Sequence, residues 1–207
     1  ASVSVVNDGE EETITRYLSD MEPAKATVGW GSLMLDEGLE NLPLKLRTED
    51  GGTKVYEKGI CAHAASEIVY DIEGRGVQRF QSYIGVNYSK TNGTCGFTVK
   101  ADDEVLFTVD RIAESDPQQY VDVEIPADAK QLILITTTGG DSNTDDHSVW
   151  ADAKLILDAT VQKNLYKVTA SADKTILDAG ETVNISVAGT LVDDSVADLS
   201  NAEISYT

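Results

Sequence analysis

The sequence predicts an all-β fold: a jelly-roll β-sandwich over residues 13–157, a linker at 158–165, and part of an immunoglobulin-like β-sandwich over residues 166–207. Three observations predict it. Short runs that alternate apolar and polar side chains recur along the chain, the period-2 signature of strands with one buried face. Clusters of Gly, Asn, Asp and Pro separate those runs. No segment carries a convincing helical period, and many short strands at regular spacing point to an antiparallel sandwich.

The elements follow in order. Residues 1–12 are polar and end in Glu10, Glu11 and Glu12, which reads as a solvated lead-in. Ile14–Leu18 is a first strand, closed by a turn at Ser19–Pro23. Ala24–Trp30 is the next, and Gly29 and Gly31 leave Trp30 between two flexible residues. Residues 31–52 carry few strand signals but several carboxylates, among them Asp36, Glu37, Glu40, Glu49 and Asp50. A structured loop of that length usually has a reason for its order. Oxygen ligands around a calcium ion are one reading, and a solvated acidic loop is the other.

From residue 53 the strands come thickly: Lys54–Tyr56, Ile68–Ile72, Val77–Val86, Thr94–Lys100, Glu104–Asp110, Tyr120–Ile125, Gln131–Thr137 and Ser148–Leu157. Asp102 and Asp103 make the natural hairpin join between two of them. Gln131–Thr137 is an apolar, branched run and reads as a central strand. Composition shifts after Leu157. Tyr166–Ala172, Glu181–Val187 and Ala202–Tyr206 alternate weakly, fewer strands than the roughly seven of an immunoglobulin-like sandwich.

Composition bounds the function. Hydrophobic residues make up 41% of 207, enough for a core. Asp and Glu number 36 against 16 Lys and Arg, a formal charge of −20 that repels phosphate backbones and anionic lipid. Nucleic-acid partners are therefore not expected. No apolar run approaches the roughly 20 residues of a membrane-spanning helix, so membrane insertion is not expected either. Ala1 in place of an initiator Met reads as a mature fragment excised from a longer chain. Cys61 and Cys95 lie in strand-like runs; they could be buried free thiols, one disulfide, or half of a zinc site with His63 and His147.

Two stretches concentrate chemistry. In Gly59–Ile72, the small residues Ala62, Ala64, Ala65 and Ser66 surround His63 and leave space beside the imidazole. Asp145–Ile156 holds the other histidine, His147, with Trp150 and three carboxylates. No hydrolase, metalloprotease, phosphate-loop or dinucleotide fingerprint appears, so no catalytic residue is assigned.

Tyr17–Asp20, Gly29–Gly31, Lys58–Asp71, Phe80–Val86 and Trp150–Leu155 come in an order that resembles the NPCBM family, the family 51 carbohydrate-binding modules, over residues 13–157. The resemblance implies a jelly roll with a structural calcium. It also implies recognition of terminal galacto-configured glycans, including blood-group A and B types, by a non-catalytic module. Its partners would be those glycans and other domains of one parent polypeptide, a secreted or cell-surface bacterial glycoside hydrolase. A monomer is expected. Two departures from the family stand out: Asn87, where Asp is usual, and Cys61 and Cys95, where apolar residues are usual.

Sugar recognition needs an aromatic face under pyranose C–H groups and a few planar polar groups. Trp30 and Trp150 are the candidate platforms; His63, Asn87, Asp146 and His147 are the candidate polar groups. For calcium the expected ligands are Asp36, Asn41 and Asp152, with Asp20 behind them. Two other functions stay open. One is a spacer or adhesin segment without a sugar site. The other is a glycan-processing domain built on a carboxylate pair.

Overall fold

A computed structural model describes residues 12–89, 92–176 and 178–202. The lead-in at 1–11 and the strand expected at 203–206 lie outside the described residues. Every regular element is a strand or a single 3₁₀ turn.

Two antiparallel sheets face each other. The first joins β11 (Gln119–Glu124), β8 (Val77–Val86), β13 (His147–Asp158), β6 (Gly59–His63) and β3 (Met34–Leu35), with β1 (Thr13–Tyr17) on the far half of β13. The second runs β10 (Glu104–Ala113), β9 (Thr94–Ala101), β12 (Gln131–Thr137), β7 (Ser66–Asp71) and β2 (Lys25–Thr27). The expectation of a central strand at Gln131–Thr137 holds, since β12 has a partner on each side. Alternation decides its faces: Leu132 and Leu134 point into the sandwich while Gln131, Ile133 and Ile135 are half-buried on the other face.

The core between the sheets is built from Ile60, Phe80, Ile84, Trp150 and Leu155 on one side and Ile68, Tyr70, Phe97, Val99 and Leu132 on the other. Trp150 is its centre. The indole is completely buried, with Phe97 at 5.2 Å and Phe80 at 6.2 Å, both edge-on. The sequence reading of Trp150 as a sugar platform is therefore corrected. The reason is strand parity: Ser148 and Trp150 point inward, whereas His147, Val149 and Ala151 point outward. A bulge at Asp152, whose φ is 52°, then resets the alternation so that Ala153, Leu155 and Leu157 face the core. Trp150 and Lys154 thus lie on opposite faces rather than on one.

Residues 31–52 are more ordered than the sequence suggested. They contain β3, a 3₁₀ turn at Leu39–Asn41 and β4 (Leu44–Arg47), which pairs with β5 (Thr53–Tyr56). The hairpin turn is held by Asp50, whose Oδ1 accepts from Thr48 Oγ1 and Gly52 N–H. This hairpin lies on the outer face of the first sheet and covers a second apolar cluster of Leu39, Leu44, Leu46, Tyr56, Cys61, Val149 and Ala151. Cys61 belongs to that cluster and Cys95 to the main core, and both are free thiols. The disulfide and zinc readings are set aside, because a sheet separates the two sulfurs. Burial pushes the Cys61 thiol up to about 12.

Past β13, a 3₁₀ turn at Ala159–Val161 leads to a two-stranded sheet of β14 (Leu165–Ala172) and β15 (Ile185–Leu191). The second strand starts four residues later than the sequence suggested. The expected linker is not loose: Gln162 is buried and its amide donates to the carbonyls of Arg75 and Asp158. Arg16 and Arg75 converge on Asp194, and the Arg75 guanidinium stacks 4.4 Å from the centre of the Tyr166 ring.

Trp150→Ala should cost about 3–5 kcal/mol, the usual loss for deleting a buried aromatic. Urea unfolding followed by far-ultraviolet circular dichroism measures it; a loss under about 1 kcal/mol would place the indole outside the core.

Candidate functional site: a ring shelf at one end of the sandwich

The outward parity of β6 and β13 sets His63 directly opposite His147 in register. Their rings lie 5.5 Å apart and edge-on. Trp30 joins them, with its indole 5.9 Å from the His63 ring. The three rings form a shelf at the end of the first sheet. Trp30 is its open part, 55% exposed, while His63 keeps 7% and His147 is buried.

Trp30 is on a bend rather than in a strand, because β2 ends at Thr27. Gly29 fixes that bend. Its N–H donates to the His63 carbonyl at 2.9 Å, and a Cβ there would lie 2.2 Å from the Ala64 carbonyl oxygen. Only glycine allows so close an approach. The glycine that looked like flexibility in the sequence in fact pins the loop against the turn at Ala64 and Ala65.

His63 has a defined orientation. Its Nδ1 is 2.8 Å from the Ala64 carbonyl oxygen. A carbonyl can only accept, so Nδ1 carries the hydrogen and Nε2 is the nitrogen left for a ligand.

Asp146 stands behind the shelf. It is buried; Oδ1 accepts from Thr94 N–H at 2.9 Å, and Oδ2 has no hydrogen-bond partner among the described residues. Burial pushes its carboxyl above the ordinary range; the Thr94 N–H holds it back, Asp141 adds to the rise, and His63 and Arg111 oppose it. The expectation that Asp146 reaches a sugar from an open loop is corrected: it is a loop anchor. Thr94 Oγ1 donates to Asp141, which also takes a 2.7 Å bond from Arg111. Thr94, Arg111 and Asp141 come from three separate segments, so no local pattern in the sequence marks them as parts of one loop support.

Asn87 is also corrected. It is fully buried, donates from Nδ2 to the Pro43 carbonyl at 3.2 Å, and accepts from Lys45 N–H at 3.3 Å. Its own N–H donates to the His147 carbonyl at 2.9 Å. Gly38 makes room for the amide, since a Cβ there would sit 2.5 Å from Nδ2. Asn87 clips the β4–β5 hairpin to the strand that carries His147, and so positions the shelf without facing it.

The four expected calcium ligands do not fit a cation. Lys58 Nζ donates to Asp20 at 2.5 Å and to Asp36 at 2.7 Å, so an ammonium already bridges those carboxylates. The other Asp36 oxygen accepts from Gly59 N–H at 3.0 Å. Burial pushes the Asp36 carboxyl up, but the bonds from Lys58 and Gly59 N–H outweigh it and hold it below the usual range. Asp152 is paired with Lys154 at 2.8 Å. Asn41 is exposed, and no polar contact joins it to the other three among the described residues. Nor do the described residues contain a group of three His, Cys, Asp or Glu suited to a metal.

Comparisons with known proteins follow the same outline. The profile described as NPCBM/NEW2 domain matches residues 14–156. A blood-group-substance endo-1,4-beta-galactosidase of Clostridium perfringens is 31% identical over 170 residues, 70% of this chain and 21% of that protein. A putative endo-alpha-N-acetylgalactosaminidase of Renibacterium salmoninarum is 30% identical over 179 residues, 83% of this chain and 11% of that protein. The chain thus spans only a small part of either relative. Among solved structures, the CBM51 of Clostridium perfringens GH95 in complex with methyl-galactose is 34% identical. It superimposes with a TM-score of 0.66 over 69% of this chain and 99% of that one. The CBM51-2 and INT domains of Clostridium perfringens ZmpB in complex with GlcNAc give 29% identity and the same TM-score over 70% of this chain and 32% of that one.

Two outcomes follow. Asp146→Asn keeps an oxygen for Thr94 N–H but removes the buried charge. A raised folded value means that stability is lost as pH rises from the ordinary carboxylate value through the folded one. The variant should therefore gain on the wild type over that interval, and urea midpoints of both proteins from acid to neutral pH measure the difference. On the side chains named for calcium, melting in EDTA should match melting in calcium chloride. A clear drop in EDTA would show that a bound cation stabilises the fold and would overturn the lysine-paired reading of these carboxylates.

Proposed function

The chain belongs to the NPCBM/NEW2 family of carbohydrate-binding modules, and from that premise we propose that its ring shelf binds a terminal galactose or N-acetylgalactosamine. The observation that carries the reading is the exposed Trp30 indole, set beside His63 at the end of the sheet. A galactose ring has an apolar face of C–H groups, which an indole covers, and an axial hydroxyl, which a ring nitrogen can bond. A site that bonds this hydroxyl rejects the epimer, because its own polar group would be left without a partner. His63 Nε2 has the orientation for that role, and His147 borders it. Asp146 and Asn87 hold the frame.

Binding here needs no catalysis. The module's service is to keep an attached catalytic domain near its glycan, with a modest single-site affinity amplified by tethering. The long relatives support this reading, since each is a glycan-cleaving enzyme by description and this chain matches only part of it. The parent polypeptide would accordingly be a bacterial glycoside hydrolase, secreted or displayed at the cell surface. No helix among the described residues is long and apolar enough to cross a membrane.

A glycan array probed with the 207-residue chain tests the reading. Signal is expected on galacto-configured termini, blood-group A and B types among them. Silence on all of them would favour a spacer. Trp30→Ala should weaken binding by about 2 kcal/mol, roughly 30-fold, as for a central aromatic anchor. Trp150→Phe, a change in the core, should leave affinity unaltered where the fold survives.

A further inference from the structure

A second set of rings lies elsewhere on the same outer face. Tyr83 and Tyr120 are directly opposite each other in β8 and β11, with ring centres 4.9 Å apart. Tyr56 continues the row at 5.6 Å from Tyr83. Tyr120 is 49% exposed. Parity explains the exposure: Phe80, Ile84 and Val121 take the inward positions, which leaves Tyr83 and Tyr120 outside.

The rings floor a groove of about 460 Å³ lined by Thr48, Glu49, Asp50, Tyr83, Gln118 and Tyr120. Gln118 is oriented within it. Its Oε1 accepts from Tyr56 O–H at 2.8 Å, so the two N–H donors of Nε2 are left for something else. Burial holds the Tyr56 phenol up at about 12, which keeps it a donor in that bond. Glu49 adds an exposed carboxylate with no ion-pair partner among the described residues, while Asp50 is engaged by the hairpin turn.

We propose that this groove is a second sugar-binding site, taking one neutral hexose or N-acetylhexosamine ring on the exposed Tyr120, with Tyr83 at its edge. Gln118 Nε2 donates to its hydroxyls and Glu49 accepts from them. Aromatic faces flanked by a planar donor and a planar acceptor are what a pyranose requires. Charge narrows the choice. Glu49 and Asp50 line the groove and disfavour sialylated or sulfated sugars. A cation is disfavoured as well, because the Lys54 ammonium already covers Tyr56 at 4.4 Å and Tyr83 at 5.3 Å.

The groove is separate from the Trp30 shelf. Tyr83 is in register with Ala151, four residues along β13 from His147, and Tyr120 is one strand further out. At about 3.3 Å per residue and 4.8 Å per strand, His63 on β6 and Tyr120 on β11 stand roughly 20 Å apart. The β4–β5 hairpin and its apolar cluster lie between them. Two sites at a fixed separation on one face would let a branched or repeated glycan engage both, with a gain in avidity.

The test uses the 207-residue chain carrying Trp30→Ala, so that the shelf is silenced and the groove is read alone. Amide chemical shifts are followed in titrations with galactose, N-acetylglucosamine, N-acetylneuraminic acid and tetramethylammonium chloride. Saturable shifts at Glu49, Tyr83, Gln118 and Tyr120 are expected with at least one of the first two. They should be absent with the acid and the ammonium salt, lost in Tyr120→Ala and weakened in Gln118→Ala. Tyr120 is at the surface, so its truncation leaves the core intact. No shift with either neutral sugar up to its solubility limit would overturn the proposal. So would shifts that survive Tyr120→Ala, or a response to tetramethylammonium alone.

Discussion

The structure depends on the pairing of one strand, β13. It hydrogen-bonds to β8 along one edge and to β6 and then β1 along the other, so its backbone is committed on both sides for most of its length. A strand held in that way cannot slip by one residue without turning its whole side-chain set over. Trp150 in the core and His147 on the surface are two consequences of one register. The bulge at Asp152 lets the same strand end on Leu155 and Leu157, which seal the other end of the sandwich. Packing and function are thus coupled through backbone geometry rather than through any contact between the tryptophan and the shelf.

Much of this was legible in the sequence, and the reasons are local. Strand-like runs bounded by turn residues located β8, β9, β11 and β12, and the apolar, branched run of Gln131–Thr137 marked β12 as central. His63 stood out through the small residues around it, and Trp30 through its two glycines. Trp150 was named as a platform for its indole, and composition does not say which face of β13 an indole takes; strand parity turns it inward. The bulge at Asp152 was equally invisible, since bulges leave little trace in composition. The hairpin over residues 44–56 was half hidden for a similar reason. Its outer face is charged, and its apolar residues cover a small cluster rather than the main core.

Acidic residues misled in a different way. Asp20, Asp36 and Asp152 invite a cation by their number, but sequence does not show which lysines fold back upon them. Lys58 answers two of these carboxylates and Lys154 the third. Each pair is partly exposed and contributes little energy by itself. Together they fix the start of β6: Lys58 is the residue before Gly59, its carbonyl accepts from Asp152 N–H, and Asp36 reaches back to Gly59 N–H. The chain therefore settles this corner with its own ammonium groups, in the place where a bound cation was expected.

The direction of the shelf follows from β13 as well. His147 begins that strand and Asp158 ends it. Thr13, at the start of β1, is paired with Asp158. The polypeptide thus enters and leaves the sandwich at one end, and the Trp30–His63–His147 rings are at the other. A strand of this length separates them by roughly 35–40 Å. The exit is stiffened rather than hinged, because buried Gln162 and the Arg16–Asp194–Arg75 cluster seat the β14–β15 hairpin against the sandwich. The ring shelf is therefore turned away from both points at which the chain enters and leaves the sandwich.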